Sequence, residues 1–325
     1  MHAFGEDVGI TTVISILPHD IHSRMQLYKK GKVKEVYEVS PTEFEFLFTD
    51  QISVFDKVIP TMVSHKGETL CRTSAYWFKE AERQGIKTHF LKLSAPNRMR
   101  VRRVRIPAVD EKLDFKSKGH LIPLEVIARY YLAGSMHDRV KRGEVSPKAL
   151  GFKSDKVPEY GAELPEPFVE MTTKLEKVDR NLTPEEAMKI AALTKGELAR
   201  LRETVLKVDE LMNKRVRSRG LIHVDGKKEF AFDSERALML VDTFGTADED
   251  RFWELDRYEK GEFVEVSKEF VRAHYRKTGY HDQLQAARKA KRPEPPIPAL
   301  PPDVVGEVSS LYISLFERLT GEPFR

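Results

Sequence analysis

The sequence predicts an α+β protein built as two lobes, and three observations carry that expectation. The chain has 325 residues, more than a single domain usually holds. Its first third alternates strand-like runs with turns, and its middle carries two helices with matching start signals followed by a polar-faced hairpin. Strands grouped together, and helices grouped after them, suit α+β organisation better than a strictly alternating α/β chain.

Taken in order, residues 1–23 read as an N-terminal extension that lacks the basic start and small-residue cleavage site of a secretory signal. Cytoplasmic residence is therefore expected. A β-rich lobe is expected over residues 24–117. Within it 31–39 and 44–50 read as strands, 52–60 as an apolar-flanked loop, 69–84 as a helix stopped by Gly85, and 86–93 and 101–109 as further strands. The second lobe, 118–292, opens on the apolar run from Leu124, and its Pro-, Gly- and Lys-rich residues 143–170 read as a long irregular loop. Thr183-Pro-Glu-Glu and Thr194-Lys-Gly-Glu each have the form of a capping box, Gly220 follows a basic final turn, and a further helix begins near Ser267. Residues 293–325 are a proline-rich linker and a last helix. Val304, Val308, Leu311, Leu315 and Leu319 form an apolar stripe along that helix, which should dock on the body.

Composition limits the function. Hydrophobic residues make up 40% and charged ones 33%, and no apolar run approaches the roughly 18 residues of a membrane span. The single cysteine, Cys71, excludes an internal disulfide or a thiolate metal cluster and leaves oxygen-bound hard cations such as Mg2+. Net charge is +4, with both signs mixed along the chain. The basic run at residues 98–105 fits a sheet edge better than a nucleic-acid surface. There is no GxxxxGK[ST], GxGxxG, HxD catalytic-loop or HExxH pattern.

Three segments hold candidate chemistry. In Gly31-Lys-Val-Lys34, strand alternation puts Lys32 and Lys34 on one face, fit for nucleotide phosphates, although a solvated strand edge has the same pattern. In residues 223–242, alternation puts His223, Asp225, Lys227 and Glu229 on one face. A four-residue turn at 233–236 would set Asp242 opposite Lys227 and diagonal to Glu229, so that Glu229 and Asp242 could share a magnesium ion, and a one-residue slip would turn Asp242 away. Arg129 and Ser135, in an apolar run ending Gly-Ser, and Arg251 after Asp242 offer donors for a phosphate or carboxylate.

In this order the segments GKVKEVYE, FTDQISVFD, IPTMVSHKG, EVIARYYLAGS, TTKLEKVDRNLT and HVDGKKEF resemble the SAICAR synthetase (phosphoribosylaminoimidazole-succinocarboxamide synthase) family, over residues 28–275 or so. The resemblance implies an ATP-grasp-like pair of α+β lobes with ATP between them. It also implies ATP-dependent ligation of L-aspartate to carboxyaminoimidazole ribotide through an acyl phosphate, giving SAICAR, ADP and phosphate in de novo purine (IMP) biosynthesis. ATP and Mg2+ are the implied cofactors. The partners are small molecules rather than nucleic acid or membrane, and a homo-oligomer is compatible with the family. Carried over position by position, Lys32, Val33 and Lys34 would hold ATP, Glu229 and Asp242 the metal, and Arg129, Ser135 and Arg251 the ribotide phosphate. Asp225 and Lys227 would act at the reacting carboxylate, and Lys174 and Asp179 would belong to the central loop that meets substrate. A different ATP-dependent ligase or a small-molecule kinase is the rival reading. The sequence departs from the family pattern at three places. Thr243 replaces an acidic residue, Asp250 replaces a serine ahead of Arg251, and His223 stands where an apolar residue is more usual.

Overall fold

The computed structural model of the protein describes residues 25–325, so the extension expected over 1–23 lies outside the described residues. In the first sheet β1 (Gln26–Lys30), β2 (Lys34–Ser40) and β3 (Glu43–Phe48) form an antiparallel meander, completed beyond β3 by β7 (Arg98–Arg102) and then β6 (Phe90–Ala95). The segment after β3 is a second hairpin, β4 (Gln51–Val54) and β5 (Lys57–Met62), where the sequence suggested a loop. Its two turn residues, Phe55 and Asp56, both have left-handed backbone, with φ 51° and 65°. A two-residue hairpin turn requires this, and neither residue is the glycine or asparagine that usually signals it.

Helix α1 (Lys66–Arg83) begins three residues earlier than its apolar spacing suggested. Asp50 accepts a 2.9 Å bond from the Gly67 amide at its start, which satisfies a donor the first turn would leave open. A Cβ at Gly67 would run into the Phe48 carbonyl, so glycine lets the helix start against β3.

The second sheet has the order β10 (Asn181–Leu182), β9 (Glu163–Thr173), β8 (His120–Tyr131), β11 (Leu221–Phe232) and β12 (Leu238–Val241), with β13 (Asp250–Glu254) paired to the first half of β11. The irregular stretch expected over 143–170 thus ends at Glu163, after helix α2 (Gly134–Lys141) and one 3-10 turn at Pro147–Leu150. Pro165 and Pro167 hid β9. They fall where the β8–β9 ladder is interrupted, between the pairs Tyr131–Glu163 and Arg129–Phe168, so no ladder bond is asked of them. The edge of β12 is covered by residues 87–89, through the bonds Leu240 N–Lys87 O (2.9 Å) and His89 N–Leu240 O (3.0 Å). This seam ties the two sheets together.

Helices α3 (Pro184–Ala191) and α4 (Lys195–Arg217) both start with complete capping boxes, from Thr183 to Glu186 and from Thr194 to Glu197, as their sequences predict. Leu201, Val205, Val208 and Met212 make α4 a buried ridge against β11. After β13 come α5 (Leu255–Tyr258), α6 (Glu269–Lys277) and α7 (Tyr280–Lys289). The proline linker has no helix or strand, and α8 (Pro302–Thr320) lies against α1 with Val308, Leu315 and Leu319 buried. Each of these three side chains contributes about 1.5–3 kcal/mol of burial. Among the described residues no helix is long and apolar enough to cross a membrane.

Candidate active site

A cleft of about 510 Å³ lies between the two sheets. One end is apolar, with Val36, Phe44 and Phe46 from the first sheet and Leu121 and Val241 from the second. The other end gathers ammonium and carboxylate groups, including Lys34, Lys174, Lys227, Glu229, Asp242 and Glu249.

Lys32 and Lys34 both line this cleft, though not as neighbours on one strand face. Residues 31–33 form the turn between β1 and β2, closed by a 2.8 Å bond from the Gly31 amide to the Lys34 carbonyl. Lys32 therefore stands exposed at the mouth, 2.6 Å from Asp56 in the facing hairpin turn, while Val33 lies beneath it in the same lining. Lys34 opens β2 and points inward to an ion pair with Asp242, its ammonium 4.5 Å from the centre of the Phe46 ring.

The polar wall of β11 is re-phased by a bulge. The pairing with β13 shifts between His223 and Asp225, and the extra residue turns the strand there. Lys227 and Glu229 face the cleft, and Asp225 lies beside them on Arg129. His223 instead meets Asn213 of α4 and Asp250, buried on the helix side of the sheet, so it does not join the wall.

The turn after β11 has five residues, 233–237, rather than four. Glu229 consequently pairs with Val241, and Asp242 is not opposite Lys227. Simple alternation would then direct Asp242 away from Glu229. The left-handed backbone at Asp242, φ 62°, turns its side chain back to Lys34. Aspartate is one of the few residues that enters this conformation without large strain. Burial alone would raise the Asp242 carboxyl, but Lys34, Lys174 and Lys227 outweigh it and hold the group well below the ordinary carboxylate range.

Lys227 is the hub of the polar end. Its Nζ lies 2.9 Å from Glu125 Oε1, 2.9 Å from Glu229 Oε1 and 3.2 Å from Glu249 Oε2. Burial would depress this ammonium, yet the three glutamates prevail and hold it well above its usual value. Lys174 reaches the same Glu229 oxygen at 2.6 Å. The other carboxylate oxygen of Glu229, Oε2, is buried and has no hydrogen-bond partner. Such an oxygen is an unfilled acceptor in a set of carboxylates suited to a hard divalent cation. Asp179 is exposed on the loop after Lys174, and its carboxyl is raised by burial against the pull of Lys227 and Lys174.

Arg129, Asp225 and Arg251 form a second polar group. The Asp225 Oδ2 atom accepts from Arg129 at 3.0 Å and from Arg251 at 3.4 Å. Glu170 holds Arg129 at 2.7 Å, while Glu269 lies 3.5 Å from Arg251. The Arg251 guanidinium packs where a side chain at Gly134 would stand, which brings it to the start of α2. Ser135 is exposed in that first turn, where free amides favour an anion.

Other members of the site are not evident from the sequence. Glu125 enters from the apolar run of β8 by pairing opposite Glu229. Asp248 and Glu249 sit in the loop after Asp242, whose irregular, acidic composition is a signal. Lys66 carries none. It is fully buried and pairs at 2.9 Å with Asp248, which also accepts from Tyr312 of α8 at 2.6 Å and from Lys268 at 3.4 Å.

Comparison with known proteins agrees with this geometry. The family model for SAICAR synthetase matches residues 27–287. Phosphoribosylaminoimidazole-succinocarboxamide synthases of Thermoplasma acidophilum and Thermoplasma volcanium are each 51% identical over 298 residues, covering 92% of this chain and 99% of their own. Among solved structures, the chain is similar to the Saccharomyces cerevisiae SAICAR synthase complexed with SAICAR, with TM-score 0.70, 25% identity, and 92% of this chain and 96% of that one covered. It is similar also to a type-2 SAICAR synthetase in complex with ADP, with TM-score 0.67, 25% identity, and coverage of 92% and 100%.

Proposed function

Because this chain belongs to the SAICAR synthetase family, we propose that the cleft between its sheets binds ATP and joins L-aspartate to 5-amino-1-(5-phospho-D-ribosyl)imidazole-4-carboxylate. The chain is a ligase of purine biosynthesis that forms a carbon–nitrogen bond. One observation carries the assignment of the site. A single cleft has an apolar end and a polar end where lysines and carboxylates converge. The ADP and SAICAR complexes of the two similar structures support this reading.

A carboxylate resists attack by an amine because its charge repels the nucleophile and oxide leaves poorly. In the proposed sequence an oxygen of the imidazole carboxylate attacks the γ-phosphorus of ATP, and ADP leaves. The amine of aspartate then attacks the acyl carbon, phosphate departs with the carbon–oxygen bond, and the nitrogen loses a proton. The adenine would lie between Val36 and Phe46 on one side and Leu121 and Val241 on the other. Lys32, Val33 and Lys34 would meet the phosphates, with two ammonium groups countering their charge. Lys227 would stabilise the transferring phosphoryl group, and Asp225 would orient the acceptor through Arg129 and Arg251. The two arginines and the Ser135 turn suit the ribotide phosphate, and Lys174 and Asp179 would border the acceptor.

Mg2+ fits the residues present, since the orphaned Glu229 Oε2 and Asp242 supply oxygen donors at the phosphate end. When bound it would supply positive charge against that of the phosphates. In the same reading residues 24–117 are the nucleotide lobe, 118–292 the catalytic lobe of an ATP-grasp-like pair and 293–325 a docking tail, supported by their separate sheets.

The test is incubation with Mg2+, ATP, the ribotide and L-aspartate, omitting each in turn, while following ADP and SAICAR. Product that requires all four is expected. ADP release without SAICAR in the complete mixture would favour a kinase, the rival that the lysines alone also suit.

A further inference from the structure

Behind β11, on the side away from the cleft, the sheet buries a cluster of charge that the proposed chemistry does not use. Asp209 of α4, Lys228 and His223 of β11, and Asp250 at the start of β13 are all buried. Asp250 is its centre. Its Oδ2 lies 2.8 Å from His223 Nε2 and 3.1 Å from Lys228 Nζ, and its Oδ1 accepts a 2.7 Å bond from the Gly245 amide. Lys228 pairs on its other side with Asp209, and His223 Nδ1 meets Asn213 Oδ1 at 2.8 Å. Gly226 has no Cβ because Asp250 and the Lys228 ammonium occupy that space.

We infer that Asp250 is a positioning residue that latches the loop of residues 242–251 to the back of β11. That loop carries much of the cleft's polar end. Asp242 stands at its start and Asp248 and Glu249 further along it, Arg251 at its end belongs to the second polar group with Asp225, and the Glu249 carbonyl accepts from the Lys227 amide at 3.3 Å. Asp250 touches none of the cleft groups itself. It fixes both the turn at Gly245 and the start of β13, so its loss frees the segment between them.

The cluster sets two carboxylates about one lysine. Asp209 and Lys228 make a complete pair by themselves. A second buried carboxylate at 250 leaves one lysine between two acids. His223 supplies the additional partner, at the distance of a hydrogen bond.

The inference rests on the assignment of the cleft as the active site, and two readouts separate the claims. Turnover of the unaltered protein is measured first, and hydrogen exchange of the 243–249 amides is followed without substrate. For Asp250→Ala, faster exchange confined to that loop and a loss of turnover of about 100-fold are expected, from displaced reacting groups. Asp250→Asn, which keeps an oxygen for the Gly245 amide, should keep the loop's exchange slow and lose less than about tenfold in turnover. Loosening spread equally through α4 and β11, turnover of Asp250→Ala within about threefold of the unaltered protein, or loop exchange as fast in Asp250→Asn as in Asp250→Ala would each overturn the latch. If the unaltered protein shows no turnover, the active-site reading fails, and the exchange of the 243–249 amides in Asp250→Ala still decides whether the latch exists.

Discussion

Replacing Lys227 with Met tests the polar end of the cleft at its hub, since Met fills similar volume and removes only the charge. Lys227 Nζ sits within 3.2 Å of oxygens from Glu125, Glu229 and Glu249. At an effective dielectric of about 20, each contact represents about 5 kcal/mol of gross attraction. Desolvation of the ions and repulsion among the carboxylates consume most of that sum. Removing one partner of a buried pair nets a loss of about 3–5 kcal/mol. Three glutamates now face Lys227, and in the variant Lys174 remains beside two of them, Glu125 and Glu229.

The pH dependence has a defined sign. Glu125 is already held above the ordinary carboxylate range, by burial first, and removing Lys227 takes away a charge that lowers it. A group raised in this way contributes stability at low pH that is lost as pH rises through the folded value. The deficit against the unaltered protein should therefore be larger at pH 8 than at pH 5. Turnover should fall by about 10²–10³, the usual cost of one donor aimed at developing charge. Urea unfolding at the two pH values and the coupled ADP and SAICAR assay measure both effects. A deficit that does not grow with pH, or turnover within about threefold of the unaltered protein, would refute the hub.

Asp242→Asn keeps a side chain that tolerates φ 62° and removes its charge. Turnover should drop about 100-fold and the Mg2+ needed for half-maximal rate should rise, and an unchanged Mg2+ titration would remove Asp242 from the metal site. Tyr312→Phe takes away the donor 2.6 Å from Asp248, at a cost of about 1–3 kcal/mol, and an unmoved urea midpoint would show that α8 does not support the cleft wall. Glu265 is pushed up to about 7 by burial, against the pull of Arg251 and the Trp253 N–H. Its folded value exceeds the ordinary carboxylate value, so its stabilising contribution is present below pH ~4.5 and lost as pH rises through ~7, by up to about 3 kcal/mol. Glu265→Gln should flatten that part of the stability profile between pH 5 and 8, and an unaltered slope would refute the assignment.

What was legible in the sequence was what depends on neighbours in the chain. Both capping boxes, the Gly220 stop and the apolar stripe of α8 are local patterns, and the structure has each of them. The hairpin at Phe55 and the strand from Glu163 were missed because each breaks a local rule for a reason found elsewhere. The first turn reaches left-handed backbone without glycine, and the second strand carries its prolines where the ladder has a gap. Lys66 and Glu125 fall in segments that carry the resemblance, but spacing alone gave no sign of their roles, since a lysine in a helix and a glutamate in a strand look solvated until a partner distant in sequence arrives.

The polar hairpin shows how phase, rather than composition, limits such reading. Alternation identified Asp225, Lys227 and Glu229 as one face, but it assumed a straight strand and a four-residue turn. A bulge removes His223 from that face, and the fifth turn residue shifts Asp242 by one position. Asp242 still meets the cleft because its own backbone turns to positive φ just past the end of β12. The expected meeting of Asp242 with the cleft lysines thus survives a wrong register through a conformation that pairing rules do not contain. The displaced His223 in turn reaches Asp250, which holds the far end of the same loop. One irregularity in β11 therefore separates the groups that face the cleft from the histidine that meets Asp250 behind the sheet.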